Sequence, residues 1–83
     1  MLQNKMTYLR VRNGYGVFKL SKHCRERMEQ RGIGCKELKE AIRSGKVVYE
    51  RRGVNKVISD NVHIIYNECS LRIYTVYKPT VNV

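Results

Sequence analysis

The stretch Ser21–Ile33, SKHCRERMEQRGI, determines how the first half of the chain folds. Ser21 is a typical helix N-cap, since its hydroxyl can accept a hydrogen bond from a free backbone N–H of the first turn. Gly32 suits the left-handed conformation that often ends a helix. The stretch therefore predicts a helix that ends at about Arg31 and makes apolar contacts through Cys24 and Met28.

The chain on either side supplies the remaining elements. A second helix is predicted over about 35–44, where apolar residues recur at helical spacing before Gly45 ends the run. The period then changes, and Val, Ile and Tyr dominate four short segments separated by turn residues. These segments are 47–51, 54–59, 62–67 and 71–78. We expect an α+β fold in which two N-terminal helices pack on one face of a four-stranded antiparallel sheet, with an extra N-terminal strand as a further option.

The 83 residues are enough for one domain, spanning 1–83. Within it, residues 1–16 are predicted to form a basic N-terminal arm or edge strand. Residues 17–78 are the predicted α+β core, and 79–83 are a predicted frayed tail.

The charge balance points to a polyanionic partner. Seventeen Lys and Arg face seven Asp and Glu, which gives a net charge of +10. Such a protein attracts nucleic acid first, an anionic membrane second and an acidic protein inhibitor third. A basic domain with no polyanionic partner remains an alternative. No apolar run approaches the roughly 18 residues of a membrane span, and among these partners we expect RNA and a small acidic protein and not a membrane.

The cysteines indicate a reducing compartment. There are three, without CxxC spacing, so neither a disulfide framework nor a zinc site is expected. Together with the absence of an apolar signal core at the N-terminus, this predicts a cytoplasmic protein. The sequence also has no P-loop or dinucleotide-binding fingerprint, so we expect no metal and no cofactor.

One stripe of the first predicted helix carries His23, Arg27 and Arg31, four residues apart in each step. An imidazole beside guanidiniums suits acid–base chemistry on a phosphodiester. Strand parity predicts that Thr75 and Tyr77 face the helices, so we expect His23, Arg27, Thr75 and Tyr77 to form a catalytic group. A packing or surface role for His23 stays open.

A second set of side chains suits nucleic-acid binding, because cations bind phosphates and tyrosine rings stack on bases. The candidates are Arg31, Arg51, Arg52, Arg72, Tyr74 and Lys78. For Tyr49 and Tyr66 we favour packing, and for His63 a packing or surface role.

The run H-x-x-x-R-M-x-x-R-G-I, from His23 to Ile33, resembles a family of small bacterial and phage domains of unknown function that often occur as toxin modules. Strands ending in Ile73–Tyr77 add to this likeness. The family looks like part of the barnase–EndoU–colicin–RelE (BECR) superfamily of metal-independent RNases. The resemblance implies a toxin-like endoribonuclease that cleaves RNA, including ribosome-associated RNA, and pairs with a small acidic antitoxin or immunity protein. It also implies functional roles for His23, Arg27 and either Thr75 or Tyr77.

Two other functions remain open from the sequence. One is a non-catalytic nucleic-acid-binding or phage/host regulatory domain. The other is a protein–protein interaction module whose positive surface docks on an acidic partner. Fold-level analogy does not choose between them and catalysis.

Overall fold

A computed structural model describes residues 7–11 and 16–79 of the chain. In chain order the elements are β1 (Thr7–Val11), β2 (Gly16–Leu20), α1 (Lys22–Arg31), α2 (Cys35–Ser44), β3 (Lys46–Arg51), β4 (Val54–Ile58), β5 (His63–Asn67) and β6 (Arg72–Tyr77). Both predicted helices and the four predicted strands after them are confirmed to within about two residues. Most of the predicted arm, residues 1–6 and 12–15, and the tail from residue 80 onward lie outside the described residues.

The predicted four-stranded antiparallel sheet is wrong. The sheet has six strands in the order β1-β2-β6-β5-β4-β3, and it is mixed because β2 pairs with β6 in parallel. The helices are not N-terminal either, because two strands precede them: β1 within the predicted arm or edge strand, and β2 after it. The physical reason is that β1 and β2 pair antiparallel and bury four apolar side chains in the core. These are Leu9, Val11, Phe18 and Leu20.

Local hydrogen bonds explain why the helices begin and end where they do. The hydroxyl oxygen of Ser21 accepts a hydrogen bond from the backbone N–H of Cys24 at 3.1 Å. Gly32 adopts the left-handed conformation, with φ of 67°, and ends α1. The N–H of Gly45 donates to the carbonyl of Ala41 at 2.7 Å and ends α2. The caps predicted from the sequence are confirmed.

The core lies between the two helices and one face of the sheet. Helix α1 packs mainly on β6, while α2 packs on β1 and β4. The most deeply buried large side chains come from both layers and include Leu20, Leu38, Ile64 and Ile73. Among the described residues, neither helix covers the opposite side of the sheet, which we call the open face.

A β-bulge in β6 decides which of its side chains reach the open face. Ile65 pairs with Thr75, but the next residue, Tyr66, pairs with Ile73, so Tyr74 is an extra residue on β6. Ile73 therefore lies in the core although it is three residues from the equally buried Val76.

The bulge places Thr75 and Tyr77 on the face of the sheet opposite to the predicted one. Thr75 and Tyr77 flank Val76, which points into the core, so both lie on the open face. The prediction that they face the helices is wrong, because it assumed unbroken alternation along β6.

Candidate functional site

Three polar side chains meet on the open face at one end of the sheet. His63 in β5 stands directly opposite Tyr77 in β6. The Nδ1 atom of His63 lies 3.4 Å from the Tyr77 hydroxyl, and the two ring centroids are 5.2 Å apart in an edge-to-face arrangement. The Nζ atom of Lys56 lies 5.6 Å from the centroid of the Tyr77 ring. We call Lys56, His63 and Tyr77 the open-face cluster.

Strand register explains how these residues come together. In one row across the sheet, Ile58 pairs with His63 and His63 pairs with Tyr77. In the adjacent row Lys56 pairs with Ile65, and Ile65 pairs with Thr75. Neighbouring rows on the same face are two residues apart along each strand, so Lys56 reaches diagonally to Tyr77 and Thr75 lies beside the cluster.

The environment favours a neutral imidazole next to a charged ammonium. Partial burial, and secondarily the positive charge of Lys56, lower the pKa of His63 below its usual value of 6.5. Hydrogen bonding to the Tyr77 side chain raises the pKa of Lys56, against a smaller opposing effect of desolvation. At neutral pH the cluster therefore offers a proton acceptor, a phenolic proton donor and a cation.

The predicted pair on α1 lies on the helix side of the sheet. The Nε atom of Arg27 donates to Nε2 of His23 at 3.4 Å, and Nη1 of Arg27 donates to Gln30 Oε1 at 3.3 Å. Both hydrogen bonds are exposed, and so is His23. The i,i+4 neighbourhood predicted from the helix is thus present.

The structure does not bring the four predicted catalytic residues together. Thr75 and Tyr77 lie on the open face, whereas His23 and Arg27 belong to the helical layer on the other face. Tyr77 instead contacts His63 and Lys56. The catalytic assignment of each residue stays a prediction.

The predicted nucleic-acid-binding residues divide between several places. Arg72 and Tyr74 lie on the open face, where the amide nitrogen of Asn67 donates to the Tyr74 hydroxyl at 3.0 Å. Arg51 and Arg52 are exposed at the end of β3 and in the turn that follows.

The two remaining candidates lie where α1 meets β6. The Nη1 atom of Arg31 donates to the carbonyl of Val76 at 2.6 Å. The Lys78 ammonium lies beside Gly32, 3.8 Å from the position that a Cβ atom would take on this residue. Arg31 and Lys78 are thus close to the C-terminal end of α1 and away from the open face.

Cations and aromatic rings extend across the open face beyond the cluster. Tyr8 pairs with Lys19, and Lys19 pairs with Arg72 across the parallel junction. Tyr74, 41% exposed, lies further along β6 toward the cluster. Together they form a band of positive and aromatic side chains across three neighbouring strands.

The two tyrosines expected to pack behave differently. Tyr66 is buried and contacts Phe18 edge-to-face with ring centroids 5.2 Å apart, as predicted. Tyr49 is 73% exposed on β3, so the expectation of packing is wrong for this residue.

Sequence reasoning missed His63 and Lys56 as partners of Tyr77. Alternation in β5 indicates correctly that His63 shares a face with Ile65 and Asn67. Its position opposite Tyr77, however, depends on the register of β5 with β6, and this register includes the bulge. Clustering of His63 with Lys56 would have been recognisable once the β4–β5 turn at Asp60–Asn61 was counted as a tight hairpin.

Three further observations concern metal binding, thiol reactivity and membrane insertion. No group of three or more His, Cys, Asp or Glu side chains within 7–11 and 16–79 is placed to hold a metal ion. Burial, followed by the charge of Cys35, raises the pKa of Cys24 to about 11, so this thiol stays protonated. Neither α1 nor α2 has the length and apolar character needed to cross a membrane.

The profile of one protein family, described as a domain of unknown function (DUF4258), matches residues 20–78. The match begins at the last residue of β2, includes both helices and continues one residue past β6. No curated protein and no solved structure matches the chain.

Proposed function

The chain belongs to the DUF4258 family of domains of unknown function, and from that premise we propose that it is a toxin-like endoribonuclease that cleaves RNA without metal. The observation that carries the proposal is the contact between His63 and Tyr77 next to the Lys56 ammonium. Metal-independent RNA cleavage needs a base, an acid and a cation to stabilise the phosphorane, and these are the groups that the open-face cluster supplies.

In the proposed reaction His63 removes the proton from a ribose 2′-hydroxyl. The 2′-oxygen then forms a bond to phosphorus, and the bond from phosphorus to the 5′-oxygen breaks, which yields a 2′,3′-cyclic phosphate. Tyr77 gives its phenolic proton to the departing 5′-oxygen. Lys56 stabilises the negative charge on the phosphorane and then on the Tyr77 oxygen, while the Thr75 hydroxyl donates to a phosphate oxygen.

The charge and the surface support RNA as the substrate. The net charge of +10 favours association with a polyanion, and the open face adds Arg72 and Tyr74 to the cluster. Side chains of this kind on a sheet bind single-stranded RNA by pairing cations with phosphates and stacking rings on bases. We propose a cytoplasmic site of action on RNA, including ribosome-associated RNA, and inhibition by a small acidic antitoxin or immunity protein. Kinship with the BECR superfamily is part of the same proposal.

The experiment compares the RNA cleavage of variants in the open-face cluster with that of variants on α1. Purified wild-type chain, His63→Ala, Tyr77→Phe, His23→Ala and Arg27→Ala are incubated with labelled RNA in EDTA, and each is also overexpressed in a bacterium. We expect wild type to leave 2′,3′-cyclic phosphate ends and to arrest growth. His63→Ala and Tyr77→Phe should lower the cleavage rate by 100-fold or more, since general acid–base catalysis contributes about 10²–10⁴-fold.

The pair on α1 serves as the matched comparison. Loss of cleavage in His23→Ala with retention in His63→Ala would move the chemistry to His23 and Arg27. Intact RNA with every variant, wild type included, would overturn the proposal of catalysis.

RNA binding without cleavage is the second candidate function, as a phage or host regulatory domain. It is favoured by Arg72 and Tyr74, which would bind RNA whether or not His63 transfers a proton. In that case RNA affinity should fall steeply with salt, and His63→Ala should bind like wild type. For a third candidate, a protein–protein interaction module, a pulldown after nuclease treatment should recover one acidic protein.

A further inference from the structure

Strand β3 ends the sheet, and within 7–11 and 16–79 no other strand pairs with its outer edge. Two large apolar side chains stand on it in contact with solvent: Val47 is 52% and Tyr49 is 73% exposed. A free edge strand presents unpaired N–H and C=O groups, and apolar residues on it favour the addition of another strand. The outer edge of β3 is therefore a suitable place for another strand to pair.

Pairing with β4 assigns the β3 side chains to faces. Val47 pairs with Val57, a core residue, so Val47 and Tyr49 lie on the helix side of the sheet. Lys46 and Val48 pair with Ile58 and Lys56, so they lie on the open face. Glu50 is the extra residue of a β-bulge between Tyr49 and Arg51, and its charge acts on Lys56, which places its carboxylate on the open face as well. In the described part of the chain, neither Lys46 nor Glu50 takes part in a salt bridge.

The sequence of β3 is complementary to itself when a second copy runs antiparallel to it. With the twofold axis through Val48, Lys46 of each copy stands opposite Glu50 of the other on the open face. On the helix side, Val47 of each copy stands opposite Tyr49 of the other, and the two Val48 side chains meet at the axis. Opposite charges and apolar or aromatic neighbours are the pairs that stabilise antiparallel strands.

We propose that the chain forms a homodimer in which the β3 strands of two copies pair antiparallel and join the two sheets into one. The contact uses the same patch on both copies, so it closes as a twofold dimer and does not propagate. Other symmetric registers lose the charge match. An axis through Tyr49 would place Lys46 opposite Arg52, and an axis through Val47 would place Lys46 opposite Val48.

The test measures mass by light scattering on a sizing column. Wild type should have about twice the 9.8 kDa of one chain. Lys46→Glu gives a strand with two acidic ends, and Glu50→Lys gives a strand with two basic ends. Each variant alone should be monomeric, because like charges stand opposite each other in the proposed pairing.

Mixing the two variants is the decisive arm. Lys46→Glu and Glu50→Lys restore opposite charges at both ends when they pair with each other, so an equimolar mixture should form a heterodimer. The double variant Lys46→Glu/Glu50→Lys should form a homodimer again. The control is Glu68→Lys, which makes the same charge reversal as Glu50→Lys but in the exposed β5–β6 turn. It should leave the wild-type mass unchanged.

Four outcomes would overturn the proposal: a monomeric wild type, a dimer that survives either single variant, a mixture that stays monomeric, or a mass that grows steadily with concentration. The last result would indicate open-ended strand addition, as when β3 of one copy pairs with β1 of the next. None of these readouts depends on RNA cleavage, so the dimer and the proposed activity stand or fall separately.

Discussion

Arg31 at the end of α1 donates a hydrogen bond from Nη1 to the backbone carbonyl of Val76 in β6, at a distance of 2.6 Å. The two residues are 45 positions apart, and Val76 is fully buried. The guanidinium predicted to bind nucleic acid therefore also links the first helix to the last strand.

We expect Arg31→Met to lower the free energy of unfolding by about 1–2 kcal/mol, because a hydrogen bond from a charged donor is lost while most of the aliphatic stem is kept. Urea denaturation followed by circular dichroism measures the change. Arg27→Met is the control on the same helix stripe. Its hydrogen bonds are exposed, so its effect should stay below about 0.5 kcal/mol. Equal losses in the two variants would contradict the structural role of Arg31.

Gly45 should not tolerate even a methyl group, although its φ of −78° is open to any residue. A Cβ atom there would lie 2.5 Å from the carbonyl oxygen of Ala41 and 2.6 Å from a methyl group of Val57. Because a backbone atom blocks the space, Gly45→Ala should destabilise the protein by about 1–3 kcal/mol.

The matched control for this prediction is Gly34→Ala at the other end of α2. A Cβ atom on Gly34 would meet nothing within 4 Å. Its φ of −95° is also unstrained, so thermal denaturation should show a much smaller loss than for Gly45→Ala. A melting temperature that falls equally in both would contradict the close approach described at Gly45.

The titration of His63 should respond to Lys56. Burial and, secondarily, the Lys56 charge lower the His63 pKa. Lys56→Met removes the second cause, so the midpoint of the His63 ring proton resonances should move to higher pH. If His63 is the base, the acidic limb of the cleavage profile should also move to higher pH. With a higher pKa, the imidazole becomes protonated and stops acting as a base at a higher pH as the solution is acidified.

Lys19→Met provides the reference for that shift. Lys19 lies on the same face but pairs with Arg72, at the opposite end of β6 from Tyr77. It should leave the midpoint almost unchanged. Identical midpoints in wild type and Lys56→Met would rule out the electrostatic coupling.

The three cysteines should separate by reactivity. Cys24 is buried with its pKa raised to about 11, whereas Cys35 and Cys69 are exposed free thiols. Since the thiolate is the reacting form, a maleimide should modify two cysteines in the native protein and the third only on unfolding. Mass spectrometry of the digested adduct identifies the sites. Rapid native labelling of Cys24 would contradict its place in the core.

The sequence was sufficient for features that depend on neighbouring residues. Ser21, Gly32 and Gly45 set the helix ends through local hydrogen bonds, and these were predictable. Strand pairing between distant segments was not. The parallel contact of β2 with β6 connects residues far apart in the chain, and nothing local to Phe18 or Leu20 indicates which strand they will join.

The candidate site shows the same division. The neighbourhood of His23 and Arg27 follows from helical spacing and is present. The partner of Tyr77 depended on a single extra residue, Tyr74, which turns Thr75 and Tyr77 toward the open face. A bulge of this kind has no dependable signature in one sequence, so the prediction placed Tyr77 near His23, whereas the structure places it beside His63.

The parallel β2–β6 junction also has a kinetic consequence. Strands β3 to β6 are joined by short turns and pair with their chain neighbours, whereas Lys19 and Leu20 must find Arg72 and Ile73 about fifty positions away. Closing that long loop is entropically costly and is rewarded only when the meander already offers β6 as a template. We expect docking of the β1–β2 hairpin to be a late event in folding, so that substitutions in Phe18 accelerate unfolding more than they slow refolding.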